Sequence, residues 1–454
     1  MRVRLGVLVL AALALVTHRG SAQAGRDGCE RGRPLLAAAQ TLAVNYAVNR
    51  FDALVLEADW ARVDFESWSR NLRLGWEWDE NAFGTNLFAH PFHGNLYFNA
   101  ARANCLSFWE AVPFAFLGSW TWEYFGETHR PSLNDFFMTS FGGIALGEML
   151  HQVSSSLRDT EASGGARLSR ELAATLFDPM GGLNRLARGE WNRHRPNPAG
   201  YQAADYLVRF AAGARRVRES GSLNRYSSTF LIDLSYRDPF ERAYRAPYDV
   251  FTLRLQVSPG SGGLNLLRSL GLLYGGDLAT QAAGHRPLWA LNQRFDYVDN
   301  LAYRYGEQGL EAGLLSRWRL GGDLSLRTEI SAGATLLGAI DGPYAGVGER
   351  SYDFGPGVGA NAELTLEHRG RRYFTFYNRW RALRTVSGAE SSHHLLFTGA
   401  AAMVPLTGGL GLGLYLSDDR RTSRYPELPR DRRSYLEGRL FLTWTDAARS
   451  GVEP

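Results

Sequence analysis

The chain has no lysine: all 50 of its basic residues are arginine. Arginine is specifically required over lysine at bidentate or stacked sites, and a bias this complete reads as the codon preference of a GC-rich genome rather than as a binding signature. Cysteine is nearly missing too, with only Cys29 and Cys105. Two cysteines can form one disulfide in an oxidising compartment but do not make a disulfide framework. Long apolar runs are lacking beyond the first residues. The best later stretches, 111–122 and 136–147, have core-helix length, well short of the roughly 20 residues a membrane-spanning helix needs. That argues against a helical membrane protein, and a chain that crosses a membrane without such helices does so as a closed barrel. The net charge is +4 and the charges are scattered. With no basic patch or recognised motif, no nucleic-acid partner is expected. No G-x-S-x-G, H-E-x-x-H, P-loop or dinucleotide fingerprint is found either.

What is present begins with an export signal. Arg2 and Arg4 precede an apolar stretch from Leu5 to Val16, and Ala22-Gln23-Ala24 supplies an A-x-A cleavage site. Residues 1–24 therefore read as a signal peptide, with the mature chain starting near Gly25. Cys29 follows Arg26-Asp27-Gly28, which is not a lipoprotein box, so no lipid anchor is expected.

Residues 25–195 read mainly as helix, with candidates at 35–56, 100–126, 133–157 and 168–176. Residues 76–93 read as a loop rich in Asn, Gly, Pro and aromatics, 158–165 as a polar break, and Arg193 to Gly200 as a linker. From Tyr201 the apolar period changes from 3.6 to 2. Phe230, Ile232 and Leu234 alternate with Asp233 and Ser235, and Leu436, Leu440, Leu442 and Trp444 alternate with Glu437, Arg439 and Thr443. Gly321-Gly322 and Arg369-Gly370 mark tight hairpins. About 12 such segments fit tilted membrane strands, apolar towards lipid and charged towards a lumen. A soluble sandwich would alternate too, but would not bury unpaired Arg254, Arg327 and Glu329. The expected fold is α+β: a helical domain, then an antiparallel transmembrane barrel of about 12 strands over 201–446, then a polar tail over 447–454.

Unusual polar residues concentrate in 81–151. Glu123 and Glu127 lie four apart on one helix face, where like charges repel unless water, a cation or a proton intervenes. Ser132 followed by Asp135 is a capping-box variant opening a helix, and a helix start is also a natural phosphate site. Gly143 and Gly147 form G-x-x-x-G, a close-packing signal. Glu148 and His151 lie about 20 and 24 Å beyond Asp135 along a straight helix and are set aside as structural. His90 and His93 flank a proline, but H-x-x-H without a third ligand at motif spacing is too little for zinc. Neither a metal nor a cofactor is expected.

At these residues the chain resembles an uncharacterised bacterial family of unknown function. Its members join an exported helical domain, carrying H-P-x-H-G…Y-F…A-R, W-E-Y-x-x-E and P-S-x-N-D…G-G…G-E, to a predicted barrel. The resemblance covers about residues 75–155. The later segments are also similar to VanZ-like proteins, in which E…D-x-x-x-N…G recurs; here Asn134 precedes Asp135, and Thr139 stands at the +4 position. That wider likeness implies action on lipid head groups or lipid-linked sugars. Carried onto this chain, it points to His90, His93, Glu123, Glu127 and Asp135 as catalytic and to Arg102, Ser132 and Asn134 as binding phosphate or substrate. The implied partners are membrane lipid or lipopolysaccharide, with the assembly machinery of the outer membrane. The competing reading has no catalysis: the helices plug a barrel that is a channel, a transporter or a structural envelope component. A soluble periplasmic binding module is the third.

Overall fold

The computed structural model describes residues 32–198, 201, 205–219, 224–241, 244–259, 263–278, 284–299, 303–345 and 350–448. The expected signal peptide, its cleavage site and Cys29 lie outside them. Cys105 is disulfide-bonded, and the chain has one other cysteine, Cys29. Two compact units divide the chain, residues 1–204 and 205–454.

The first unit is helical. Its helices are α1 (Pro34–Leu54), α2 (Phe65–Leu74), α3 (His90–Arg102), α4 (Phe108–Phe125), α5 (Leu133–Phe137), α6 (Gly143–Leu157), α7 (Gly164–Phe177) and α8 (Pro179–Ala187). A π-helical turn, Thr85–Ala89, runs into α3, and a second, Met138–Gly142, joins α5 to α6 into one rod. The local chemistry explains the boundaries. Pro34 sits in a first helical turn, where the missing N–H is not needed, whereas Pro91 comes two residues after the π-helical turn, where the regular ladder is already interrupted. Asp64 accepts from the Ser67 amide at 2.7 Å to start α2. The Glu110 carboxylate reaches back to the Ser107 amide at 2.8 Å to start α4.

Two expectations need correction here. His90 and His93 stand on a helix, not a loop: the backbone is helical from Phe83 through the π-helical turn to Arg102, with Pro91 inside it. Residues 100–126 are not one helix: α3 ends at Arg102, and Cys105, at φ 66°, turns the chain into α4. The helices α2 and α8 were not anticipated.

Polarity in this unit is turned inwards. Thr41, Asn45 and Asn49 recur every fourth residue on α1 and are buried, while Leu35, Tyr46 and Leu54 on the same helix are exposed. The asparagines bind backbone: Asn45 donates to the Gly118 carbonyl at 3.0 Å, and Asn49 to those of Ala61 and Gly126 at 2.8 and 2.9 Å. Buried amides of this kind stabilise only when satisfied. No described helix is long and apolar enough to cross a membrane, which says nothing of strands.

The second unit is a closed antiparallel barrel of twelve strands, each paired with its sequence neighbours and β1 with β12. They are β1 (Tyr206–Glu219), β2 (Arg225–Tyr236), β3 (Phe251–Ser258), β4 (Gly263–Asp277), β5 (His285–Asp299), β6 (Arg304–Gly321), β7 (Leu324–Asp341), β8 (Tyr352–His368), β9 (Arg371–Arg384), β10 (Ser392–Pro405), β11 (Leu410–Arg424) and β12 (Asp431–Ala448). Closure removes every open edge. The expected hairpins are present, the first shifted by one residue to Gly322-Asp323 because Gly321 still pairs with Leu324. The final strand runs two residues beyond the expected end, to Ala448; the tail beyond it lies outside the described residues.

Period-2 patterning sorts the barrel's two faces. Leu410, Leu412, Leu414 and Leu416 on β11, and Leu436, Leu440 and Leu442 on β12, are all exposed, while Glu437 and Thr443 are buried. Inside, charge meets charge: Arg294 with Glu311 at 2.7 Å, Arg381 with Glu307 at 2.9 Å, Arg268 with Asp296 at 3.1 Å and Arg254 with Asp233 at 2.9 Å. Glu307 on β6 and Arg381 on β9 are not on neighbouring strands, so their bond crosses the lumen.

A candidate histidine–carboxylate site in the helical unit

Glycine sets the geometry of the first unit's polar centre. A Cβ on Gly94 would lie 1.8 Å from the Thr139 carbonyl oxygen, and one on Gly143 would lie 2.4 Å from the Gly94 carbonyl carbon. Only glycine permits so close a crossing of α3 with the 133–157 rod. His90 is one turn before Gly94, and Asp135 is one turn before Thr139. The crossing therefore brings them together, with His90 Nε2 at 3.5 Å from Asp135 Oδ2. Glu123 enters from α4. Its Oε2 accepts the Ser132 amide at 2.8 Å. One donor atom each from His90, Glu123 and Asp135 lies within 4.8 Å of the others.

A second layer orients these groups. Asn134 donates to Asp135 Oδ1 at 2.9 Å and also to Asp79. Asn86 donates to Asp79 Oδ1 at 2.7 Å, and the Asp79 amide donates to Asn134 Oδ1 at 3.0 Å. Glu127, just past α4, accepts from Trp122 Nε1 at 2.6 Å. His93 is turned aside: its Nε2 shares a hydrogen bond with the Tyr97 hydroxyl at 2.9 Å, and its ring meets Trp122 edge-on at 4.8 Å. Tyr97 in turn donates to Asn45.

Burial controls the charges. It pushes Glu123 well above the ordinary carboxylate range, with Glu127 adding to the effect. Asp135 is also pushed well above by burial, reinforced by Asp79 and Glu123. Glu127 is raised to about 7 by burial, against the pull of the Trp122 hydrogen bond. Burial lowers His90 to about 4, outweighing attraction to Asp79. It lowers His93 to about 3, with His90 contributing. Desolvation disfavours each charged form, so burial acts on the imidazoles and the carboxyls in the same sense, towards neutrality. Such perturbation, concentrated in one place, marks a candidate functional site.

Five of the eight residues singled out from the sequence thus gather here: His90, Glu123, Glu127, Asp135 and Asn134, with Ser132 supporting them. Ser132 caps the following turn by accepting from the Asp135 amide at 3.2 Å, its own amide is used by Glu123, and the Leu133 amide donates to the Glu77 carbonyl at 2.8 Å, so three amides of this helix start are already engaged. Arg102 is elsewhere. It is buried and ion-paired with Glu148 at 2.8 Å, and it also donates to the Leu106 carbonyl. The phosphate role expected for Arg102 does not fit a guanidinium so committed. Glu148 and His151 are structural, the latter bound to Asp178 at 3.1 Å. Gly147 packs on Phe98, 2.8 Å from its would-be Cβ, as the G-x-x-x-G spacing suggests. Asp79 was missed. Its one sequence signal is an acid set directly after Trp76-Glu77-Trp78 in a stretch that reads as loop.

Residues 75–180 match the model of a domain of unknown function (DUF3943). Every member of the cluster, Asp79 included, falls inside this DUF3943 segment, and none belongs to the barrel. No curated protein matches the chain. Solved structures with similarity include the TodX monoaromatic hydrocarbon channel (a deltaS2 mutant; 8% identity, TM-score 0.22, covering 54% of this chain and 90% of that one). Another is the outer membrane channel DcaP of Acinetobacter baumannii (8% identity, TM-score 0.24, 54% and 97%). A third is the outer membrane protein OprD from Pseudomonas aeruginosa (10% identity, TM-score 0.20, 54% and 94%). At such identities and scores the likeness is no guide to what this barrel carries.

Proposed function

We propose that the protein is an outer-membrane barrel of the channel or transporter class, whose lumen takes up small polar solutes and whose DUF3943 segment is an accessory domain. The observation that carries this reading is the lumen itself. A cavity of about 280 Å³ extends between Asp233, Arg254 and Arg268 on β2–β4 and Arg327, Glu363 and Arg379 on β7–β9. Arginines and carboxylates line it in near-equal numbers, so it suits solutes with both charges or none rather than one class of ion. The exposed leucines of β11 and β12 supply the apolar belt that a lipid-facing wall requires.

Towards the end of the barrel away from its two terminal strand ends, aromatic side chains fill the lumen. Tyr303, Tyr305, Ile340, Leu383, Phe397 and Tyr435 form one buried cluster. The Tyr305 and Phe397 rings meet at 5.7 Å across strands that are not neighbours. This cluster narrows the lumen, and on the channel reading passage requires it to part. The test is single-channel recording in planar bilayers. Wild type should conduct weakly, Phe397→Ala with Tyr303→Ala should conduct several-fold more, and selectivity between anions and cations should be small. If the double variant conducts no better than wild type, the channel reading is wrong.

A second reading, head-group chemistry on a membrane lipid by the DUF3943 segment, is favoured by the gathering of His90, Glu123, Glu127 and Asp135. It is checked by the lipid composition of envelopes from cells carrying alanine at these positions. A composition identical to wild type, when a deletion alters it, would end that reading.

A further inference from the structure

We propose that His90, Glu123 and Asp135 hold a divalent transition-metal ion of the zinc or manganese type, supplying the positive charge that this buried acidic centre otherwise lacks. The inference goes beyond the barrel reading and stands without it.

Distance is the first argument. Four-coordinate sites with bonds of about 2.0–2.1 Å place neighbouring donors roughly 3.3 Å apart. His90 Nε2 and Asp135 Oδ2 are 3.5 Å apart, and the donor atoms of all three residues are within 4.8 Å of one another. One imidazole with two carboxylates is a donor set that suits zinc or manganese.

An orphaned oxygen is the second. Glu123 is only 2% exposed. Its Oε2 is held by the Ser132 amide, whereas Oε1 is buried with no hydrogen-bond partner among the described residues. A buried carboxylate oxygen left unsatisfied is costly, and a cation would satisfy it.

The third argument is a comparison within the same unit. Its other buried acids each face a basic partner: Glu148 meets Arg102 at 2.8 Å, Glu171 meets Arg185 at 2.6 Å, and Asp178 meets His151 at 3.1 Å. Among the described residues, no arginine is ion-paired with Glu123, Glu127 or Asp135, although the chain carries 50 basic residues. These acids are steadied instead by neutral donors, Asn134, Ser132 and Trp122, in the way outer partners orient metal ligands. Both π-helical turns of the unit adjoin the ligands, one ending at Ala89 before His90 and the other starting at Met138 after Asp135. Such turns are frequent at functional sites.

The test uses the full chain in detergent micelles, stripped with EDTA and dialysed against Zn²⁺, Mn²⁺ and, as a spectroscopic probe, Co²⁺. One Zn²⁺ or Mn²⁺ per chain is expected at micromolar free metal, with visible cobalt absorption bands of a protein-bound complex. His90→Ala and Asp135→Asn should each weaken uptake at least tenfold, and His129→Ala, an exposed histidine outside the cluster, should not. A folded wild-type chain that takes up none of the three ions overturns the proposal, whatever the variants do. So does uptake that His129→Ala reduces as much as His90→Ala does, because that ion sits on the surface.

Discussion

Replacing Gly94 by alanine adds a single methyl group at the point where α3 touches the 133–157 rod. The new Cβ would stand 1.8 Å from the Thr139 carbonyl oxygen and 3.0 Å from Gly143 Cα. Ordinary contact begins near 3.4 Å, so the helices must separate by roughly 1.5 Å, and the opposing atom is a carbonyl that cannot swing away as a side chain would. Overpacking costs about 1–3 kcal/mol, and the upper part of that range applies here. The better helix propensity of alanine, about 1 kcal/mol, offsets only a fraction, leaving a net loss of about 2 kcal/mol. For a unit of this size that lowers the melting temperature by roughly 4–8 °C. His90 and Asp135 would move apart with the helices, so metal uptake should fall as well. Near-UV circular dichroism reports the melt, because Trp76 and Trp122 pack against other rings in this unit. Gly165→Ala is the matched control: it lies in the first turn of α7 with nothing within 4 Å of its would-be Cβ, and should be neutral or stabilise by up to about 1 kcal/mol. Equal melting temperatures for Gly94→Ala and Gly165→Ala would refute the close-crossing argument.

Three further outcomes are expected. Glu148→Ala strands the buried Arg102 guanidinium and should cost about 3–5 kcal/mol in chemical denaturation, while replacing Arg102 and Glu148 together by methionine and leucine should cost much less. Burial pushes the Asp178 carboxyl up, but its hydrogen bond with His151 and the nearby Arg158 outweigh it, so the net shift is downward from 3.8. A carboxyl lowered in the folded state adds stability above its ordinary value, and that stability is lost as pH falls through the folded value. Acid unfolding of wild type below about pH 4 should therefore include a component that Asp178→Asn lacks, and superimposable acid transitions would contradict it. Leu440 is 61% exposed in mid-strand. Arginine there should destabilise the barrel in lipid vesicles by about 2–4 kcal/mol if the position faces the bilayer core, and a negligible change would place that face outside the membrane.

The barrel was legible in the sequence. Alternation is a local property, fixed by the two-residue repeat of a strand, and Leu436 to Trp444 could be assigned a face without knowing any neighbour. Charges at Arg254, Arg327 and Glu329 on the opposite face told a lumen from a sandwich core for the same reason. Helix α1 was legible over nearly its whole length, and α7 in its centre and second half, as 168–176 of Gly164–Phe177. The helix of His90 and His93 was not, because Pro, Gly and Asn look like loop residues, and the π-helical turn that precedes Pro91 has no signature in the local sequence. Composition marked the polar centre, with its acids and histidines set among aromatics, but could not assemble it.

Packing between helices set His90 against Asp135 and turned His93 to Tyr97. It also gave Arg102 to Glu148 and drew in Asp79 from a segment that reads as loop. Those pairings depend on where two helices cross, and the crossing depends on Gly94 lying opposite Thr139 and Gly143, a contact between residues about 45 positions apart. Spacing along one helix cannot report such a contact, because it is set by packing between elements rather than by the repeat within either of them.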